Sequence, residues 1–143
     1  GRLNRVNCSN YSILDDTYNS NPLSLKSAIE SLVHLKTRGR RILVMGDMLE
    51  LGSRSIILHR QMGSFVATKP IDMFITLGTL SESAAKAAKL KSKRNGQVFA
   101  FCSKPELLRF LKKRIRPGDT LLIKGSRLLK MEEIISSLKT NVI

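Results

Sequence analysis

The sequence lacks the segments that would place it in or across a membrane. No apolar run approaches the roughly 18 residues that a spanning helix needs, and the opening GRLNRVNCSN has no apolar centre typical of a signal peptide. The two cysteines, Cys8 and Cys102, lie far apart, without C-x-x-C spacing or a neighbouring histidine. We therefore expect a soluble, cytoplasmic protein with buried reduced thiols, no bound structural metal and no membrane partner.

The sequence also lacks the short motifs of common nucleotide and hydrolytic sites. It has no G-x-x-x-x-G-K-[ST] loop and no G-x-G-x-x-G after its first predicted strand, so the chain alone offers no cradle for a triphosphate. KGSR (124–127) has the residue types of a phosphate loop in the wrong order. No G-x-S-x-G accompanies His34 or His59, which excludes a recognisable hydrolytic triad and favours a helix-surface position for His34.

Acidic residues are few compared with basic ones. The chain has 25 Lys+Arg against 11 Asp+Glu, a net charge of +14, which favours anionic partners such as nucleic acid, acidic lipid or phosphorylated metabolites. The cations cluster in KTRGRR, KLKSKR and RFLKKRIR, at predicted helix ends where they complement the helix dipole. Most of them are therefore interpreted as solvated surface. The two Tyr and five Phe are not interleaved with these cations in the way that base-stacking sites require, so a basic nucleic-acid-binding module is the alternative function and not the leading one.

Five apolar runs, each followed by a turn and a helical pattern, define the predicted fold. The second, third and fifth are nearly continuous, as in strands covered on both faces. This order predicts one α/β domain over residues 1–143: a doubly wound, mostly parallel sheet of five or six strands with helices on both faces. The opening RLNRVNC would add an edge strand. The predicted strands are YSILDD (11–16), RRILVMGD (40–47), IDMFITLG (71–78), GQVFAF (96–101) and DTLLIKG (119–125).

Helix boundaries are predicted from capping residues and apolar spacing. The first helix begins with Asn21 as N-cap and Pro22 at its first position, and ends near Gly39. The second begins at Ser53. The fourth begins with a capping box in SKPE. The last spans about 128–138. The predicted core positions of the first two helices are Leu25, Ala28, Ile29, Leu32 and Val33, then Ile57, Leu58, Phe65 and Val66.

Polar loops at the carboxyl ends of the strands are the candidate ligand sites. In DDTYNSNP, successive residues at a strand end point to opposite sides, so one of Asp15 and Asp16 would face a ligand and the other would hold the loop. A carboxylate there can accept two hydrogen bonds from a ribose diol. The alternative is that Asp15, Asp16, Asn19 and Asn21 only make turn and cap bonds.

Three motifs in order, ILDDTYNSNPLSLKSAIESL, RILVMGDMLELG and GDTLLIKGSRLLKMEEII, resemble the C-terminal domain of the Mur ligases. The resemblance spans about residues 1–135, and within the family it is greatest to ligases that join D-alanyl-D-alanine to a UDP-N-acetylmuramoyl-tripeptide. It implies an ATP- and Mg²⁺-dependent, ADP-forming amide ligase that works through an acyl phosphate. The alternative is the domain of another Mur-type or folylpolyglutamate-type ligase, which would share the fold. It also implies that the P-loop, the magnesium ligands and a carbamylated lysine belong to a central domain absent from this chain, as is the N-terminal UDP-binding domain.

The resemblance also assigns roles to residues. It implies ATP contacts by Arg2, Asp16, Tyr18, Asn19 and Asn21, and contacts with peptide substrates by Asp47, Glu50, Gly52, His59, Lys124, Ser126 and Arg127. For His59 a packing role is an equal alternative. The family form has Ala where this chain has Ser20. No catalytic residue or metal ligand is expected in this domain, and the isolated chain is expected to be inactive and monomeric. Because all the substrates are anionic, we expect a positive ligand edge.

Overall fold

A computed structural model of the chain describes residues 3–92 and 97–140. The sheet has the order β1-β2-β6-β3-β4-β5, with β1 antiparallel to β2 and every other pair parallel. The strands are β1 (Asn4–Asn7), β2 (Ser12–Asp16), β3 (Arg41–Gly46), β4 (Met73–Leu77), β5 (Val98–Phe101) and β6 (Thr120–Lys124), and the helices are α1 (Pro22–His34), α2 (Ser55–Ala67), α3 (Thr79–Lys91), α4 (Lys104–Arg114) and α5 (Glu132–Lys139). The expected fold class is confirmed.

Helices cover both faces of the sheet. Alternate strand residues such as Leu14, Leu43 and Leu122 pack against α1, α2 and α3, whereas Ile13 and Ile123 pack on the other face against α4 and α5. The three strands predicted to be covered on both faces, β3, β4 and β6, are buried along all or nearly all of their length. Because β6 lies between β2 and β3, the loops that leave these three strands meet at one edge of the sheet.

The first helix begins as predicted and ends early. Asn21 accepts a hydrogen bond from the Ser24 amide, Ser24 closes the capping box on the Asn21 amide, and Pro22 is the first helical residue. The helix ends at His34 rather than near Gly39, because Leu35 is already extended. The Arg41 side chain then binds the carbonyls of Leu32 and Leu35. His34 is exposed, as predicted.

Other boundaries and core positions differ from the predictions. Short 3₁₀ turns at Gly52–Arg54 and Arg127–Leu129 precede α2 and α5, so these helices begin later than expected. The buried stripe of α2 is His59, Met62, Gly63 and Val66, while Ile57 is half exposed. The stripe is rotated because α2 packs closely on α3. A Cβ on Gly63 would lie only 2.0 Å from the Ala84 carbonyl oxygen.

The start of α4, the burial of the two cysteines and the expected absence of a spanning helix can each be compared with the structure. Ser103 caps α4 by accepting from the Glu106 amide, which is the serine half of the predicted box. The expectation of buried thiols is wrong, since Cys102 is exposed and Cys8 is half-buried. In residues 3–92 and 97–140 no helix has both the length and the apolar character needed to cross a membrane.

Asp119 holds together the edge of the sheet at which the parallel strands begin. Its carboxylate accepts from the Arg40 amide at 3.0 Å, from Arg40 Nη2 at 2.8 Å and from the Arg116 amide at 2.8 Å, although the residue is almost fully buried. Burial acts to raise the pKa of Asp119, but the hydrogen bonds from Arg40 and Arg116 outweigh it and lower the pKa below the ordinary 3.8.

We expect Asp119→Asn to lower the free energy of unfolding at neutral pH by about 2 to 4 kcal/mol, because a buried, multiply bonded charge is lost. A carboxyl whose pKa is lowered by folding stabilises above its unfolded pKa, and this stabilisation disappears as the pH falls through the folded value. The difference between wild type and variant should therefore shrink below about pH 4.

Urea unfolding at a series of pH values measures this effect, with Glu106→Gln as an exposed carboxylate control. A difference between wild type and Asp119→Asn that stays constant down to about pH 2 would contradict the assigned charge.

Candidate ligand site at the carboxyl edge of the sheet

The end of β6 and the residues that follow it, 124–127, which we call the β6 loop, join the loops that follow β2 and β3, the β2 loop and the β3 loop. Lys124 binds the loop after β2, and the Ser126 hydroxyl accepts from the Leu49 amide, in the loop after β3, at 2.9 Å. The Arg127 guanidinium lies 4.9 Å from the centre of the Tyr18 ring. Three residues of the β6 loop therefore fix the relative positions of the loops that the sequence predicts to bind ligand.

Lys124 and Asp16 form a buried ion pair. They occupy matching positions at the ends of the neighbouring parallel strands β6 and β2, so both side chains point to the α1 face. Lys124 Nζ donates to Asp16 Oδ2 at 2.8 Å and to the Asn19 carbonyl at 2.8 Å. Lys124 is 1% exposed and Asp16 is 8% exposed. A buried ammonium is tolerated only when it is paired and hydrogen-bonded, so this pair holds the β2 loop against β6.

The two acids of DDTYNSNP have different positions. Asp15 accepts from the Thr17 hydroxyl at 2.8 Å and from the Thr17 amide at 3.2 Å, which holds the loop. Asp16 lies on the other side and is the acid bound to Lys124. The two acids therefore point to opposite sides, as strand geometry predicts. Asp16, however, is already bound to Lys124 within the protein.

Some of the other residues of DDTYNSNP make hydrogen bonds within the loop, and others have side chains without such a bond. The Asn21 side chain caps α1, and Asn19 Oδ1 accepts from the Ser20 amide. Tyr18 is 54% exposed beneath Arg127. The Ser20 hydroxyl is buried and has no hydrogen-bond partner among the described residues. Turn and cap bonds thus account for Asp15 and Asn21. The Asp16 carboxylate, the exposed Tyr18 ring and the unpartnered Ser20 hydroxyl are the groups that can contact a ligand.

His59 is part of the support of the β3 loop. It is fully buried; its Nε2 accepts from the Met48 amide at 3.0 Å, and its Nδ1 lies 2.7 Å from the Ser55 carbonyl. These partners require a neutral ring with the proton on Nδ1. The contacts are those of the packing alternative, and the ring offers no surface to a substrate. His59 therefore does not reach a substrate directly, in contrast to the predicted contact; it positions the β3 loop by binding the Met48 amide.

Asp47 is also bound to the protein itself. Its carboxylate accepts from the Ser81 amide at 2.7 Å and from the more distant Leu80 amide, and so caps α3. A Cβ at Gly78 would collide with this carboxylate, which explains a glycine there with φ +116°. Glu50 and Gly52 are exposed on the same loop, both with positive φ. Of the predicted residues in this loop, only these two remain open to solvent.

The structure places half of the predicted residues in one cluster, two on a neighbouring loop and three in supporting positions, and one lies outside the described part of the chain. Asp16, Tyr18, Asn19, Lys124, Ser126 and Arg127 form one cluster, and Glu50 and Gly52 lie on the neighbouring loop. Asn21, Asp47 and His59 support the backbone around them. Arg2 lies outside the described residues. Sequence reasoning missed the Lys124–Asp16 pair because 108 positions separate its members.

The expectation of a positive ligand edge is wrong for the described residues. Among the described residues, every exposed carboxylate lies at this edge, in the loop after β3 or in the first turn of α4 or α5, beside three exposed cations, Arg54, Arg127 and Lys130. Lys104, also at this edge, is bound to Glu133 at 2.7 Å, and the hydrogen bond from Lys104 lowers the pKa of that carboxyl. The positive charge is concentrated at the opposite edge, because the helix C-termini lie there. These exposed acids are Glu50, Glu106, Glu132 and Glu133.

The fold and these contacts define a doubly wound α/β domain with an open polar site at the carboxyl edge of its sheet. The chain belongs to the Mur ligase, glutamate ligase domain family, whose model matches residues 1–127. It is 38% identical over 130 residues to UDP-N-acetylmuramoyl-tripeptide--D-alanyl-D-alanine ligase of Bacillus subtilis, a match that covers 91% of this chain and 28% of the relative.

Solved structures agree with this assignment. MurF from Acinetobacter baumannii superposes with a TM-score of 0.85 at 30% identity, over 99% of this chain and 30% of that one. MurF ligase from Thermotoga maritima in complex with ADP gives 0.80 at 26% identity, over 98% of this chain and 30% of that one. The chain thus spans less than a third of the length of these relatives.

We expect Lys124→Met to lower the free energy of unfolding by about 3 to 5 kcal/mol, because Asp16 would remain buried without its partner. The matched control is Lys104→Met, which breaks the more exposed pair with Glu133 and should cost about 1 kcal/mol or less.

A double-mutant cycle with Asp16→Asn, measured by guanidinium unfolding, isolates the coupling between the two side chains. Equal costs for the two lysine variants, or a coupling energy near zero, would show that the buried pair does not hold these loops.

Proposed function

We propose that this chain is the C-terminal lobe of an ATP-dependent ligase that joins D-alanyl-D-alanine to UDP-N-acetylmuramoyl-tripeptide in cytoplasmic peptidoglycan precursor synthesis. The reaction would proceed through an acyl phosphate on the tripeptide and release ADP. The N-terminal UDP-binding and central ATPase domains would be supplied outside these 143 residues. The whole enzyme would act as a monomer, and residues 1–143 would form one domain of it.

The joining of the β2 and β3 loops by the β6 loop is the observation that carries this proposal. Ligands of doubly wound sheets bind at the carboxyl edge where neighbouring loops meet. Lys124, Ser126 and Arg127 gather the β2 and β3 loops at that place. Family membership supports ATP-dependent ligase chemistry, and the relative from Thermotoga maritima was solved with ADP. The names of the relatives supply the particular substrates.

The residues at the site fit a nucleotide. Lys124 binds Oδ2 of Asp16, and a carboxylate has further acceptor positions with which to bind a ribose hydroxyl. The exposed Tyr18 ring offers an apolar surface, and the exposed Arg127 guanidinium suits a phosphate or carboxylate oxygen. The unpartnered Ser20 hydroxyl lies in the same loop. We assign the ATP side to Asp16, Tyr18 and Asn19, and the substrate side to Arg127, Glu50 and Gly52.

Lys124 has a different role from the one its family position implies. Two of its three donors are used by Asp16 and by the Asn19 carbonyl, and the side chain is fully enclosed. Instead of contacting an acyl phosphate, Lys124 would hold the Asp16 carboxylate in position. Ser126, whose hydroxyl accepts from the Leu49 amide, would align the β3 loop in the same way.

Magnesium would be held mainly outside this chain. In residues 3–92 and 97–140, no group of three His, Cys, Asp or Glu side chains could hold a metal ion. What this lobe contributes is binding and orientation, which lower the barrier by holding the reacting groups in register.

The isolated chain should not release phosphate when it is given ATP, Mg²⁺, the tripeptide precursor and D-alanyl-D-alanine. A protein in which the chain is joined to its N-terminal and central domains should do so, because the residues described here lack a triphosphate cradle and a metal site. Phosphate release measures this. Turnover by the 143-residue chain alone would refute the proposed division between lobes.

In the complete enzyme, Asp16→Asn should raise the KM for ATP by about tenfold, with a smaller effect on the KM for the dipeptide. Asparagine is preferred to alanine because its oxygen can still accept from Lys124, so that the buried amine keeps a partner. Steady-state kinetics with each substrate varied in turn provide the measurement. Glu106→Gln is the control, since it removes an exposed carboxylate from the same edge. A larger effect on the dipeptide would move Asp16 to the substrate side.

A further inference from the structure

Among the described residues, nine exposed cations lie at the edge of the sheet where the parallel strands begin, opposite the candidate site. They are brought together because α1, α3, α4 and α5 run antiparallel to the strands, so that their C-termini and the following loops end at one level. We call this surface the basic edge. Its residues are Lys36, Arg38, Lys89, Lys91, Lys112, Lys113, Arg114, Arg116 and Lys139.

Acidic side chains do not neutralise the basic edge. The described part of the chain has three carboxylates there, and each of them is partly or fully buried. Glu30 is bound to Lys69, Asp72 accepts from the Arg41 amide at 2.8 Å, and Asp119 is enclosed by Arg40. The three acids are therefore satisfied within the protein, and the exposed cations face solvent.

Stabilisation of helix ends accounts for only part of this charge. Six of the nine lie in the last turns of α3, α4 and α5, where cations complement the helix dipole: Lys89, Lys91, Lys112, Lys113, Arg114 and Lys139. Lys36, Arg38 and Arg116 lie beyond the helix ends, in loops, where that effect has faded. Like charges gathered on one side of a small domain raise the local potential and attract polyanions.

Leu90 distinguishes between the polyanions that could bind here. It is 90% exposed and stands between Lys89 and Lys91 at the end of α3. The other large hydrophobic residues known to be exposed in residues 3–92 and 97–140 lie toward the ligand edge. An aliphatic side chain between lysines offers no stacking surface of the kind on which single-stranded nucleic acid binds. It suits the boundary between lipid headgroups and acyl chains.

We propose that the basic edge docks the protein on an anionic lipid surface, with its lysines and arginines at the headgroup phosphates and Leu90 inserted between them. Docking in this orientation would turn the candidate ligand site away from the membrane and leave it open. The sequence-based expectation of no membrane partner considered only spanning and signal segments, which surface docking does not require. The proposal does not depend on the ligase reaction.

Sedimentation of the 143-residue chain with vesicles tests the electrostatic contact. Binding is expected to vesicles of phosphatidylcholine mixed with phosphatidylglycerol, not to phosphatidylcholine alone, and it should be lost as salt shortens the screening length. Because each cation near an anionic surface contributes about a factor of five, Lys112→Glu combined with Lys113→Glu should weaken binding by at least about 30-fold. Lys26→Glu combined with Lys86→Glu is the matched control, with the same charge change on helix flanks.

Leu90→Ser tests the apolar contact and should weaken vesicle binding severalfold, whereas Leu23→Ser, at the ligand edge and also exposed, should leave binding unchanged. Circular dichroism confirms that each variant is folded. Equal binding to neutral vesicles, equal losses in both charge-reversed pairs, or an unchanged Leu90→Ser would overturn the proposal. Binding to a random DNA duplex without binding to anionic vesicles would also overturn it and assign the basic edge to nucleic acid.

Discussion

The buried ion pair between Lys124 and Asp16 is the contact on which the geometry of the candidate site depends. It joins the last residues of two neighbouring parallel strands, and the same amine also binds the Asn19 carbonyl. A charged amine enclosed by protein must keep its partners, since the cost of leaving either charge unpaired is several kcal/mol. The β2 loop therefore cannot move away from β6 without exposing or breaking this pair.

The parallel architecture also separates charge across the domain. Helices that return antiparallel to the strands place their acidic first turns at the carboxyl edge and their basic last turns at the opposite edge. The ligand edge therefore carries exposed acids beside exposed cations such as Arg127 and Lys130, while the larger group of exposed cations lies at the opposite edge. Net charge alone says little about the site, because the topology decides where the charge lies.

Much of the fold could be predicted from local patterns. The continuous apolar runs of β3, β4 and β6 and the Asn21-Pro22 start of α1 depend on neighbours in sequence, and they were predicted correctly. The buried stripe of α2 could not be predicted in this way. It is set by the close approach of Gly63 to the backbone of α3, a contact between residues 21 positions apart.

The sequence by itself determined the strand and helix order, the fold class, the family resemblance and the three polar loops, because each rests on local periodicity or a short motif. Only the tertiary structure decided how the functional side chains are used. Lys124 became a buried support, His59 a neutral anchor of the β3 loop and Asp47 a cap of α3, since their partners come from distant segments. Contacts of this kind depend on which strands become neighbours. The last strand of the chain, β6, lies between β2 and β3, far from both in sequence.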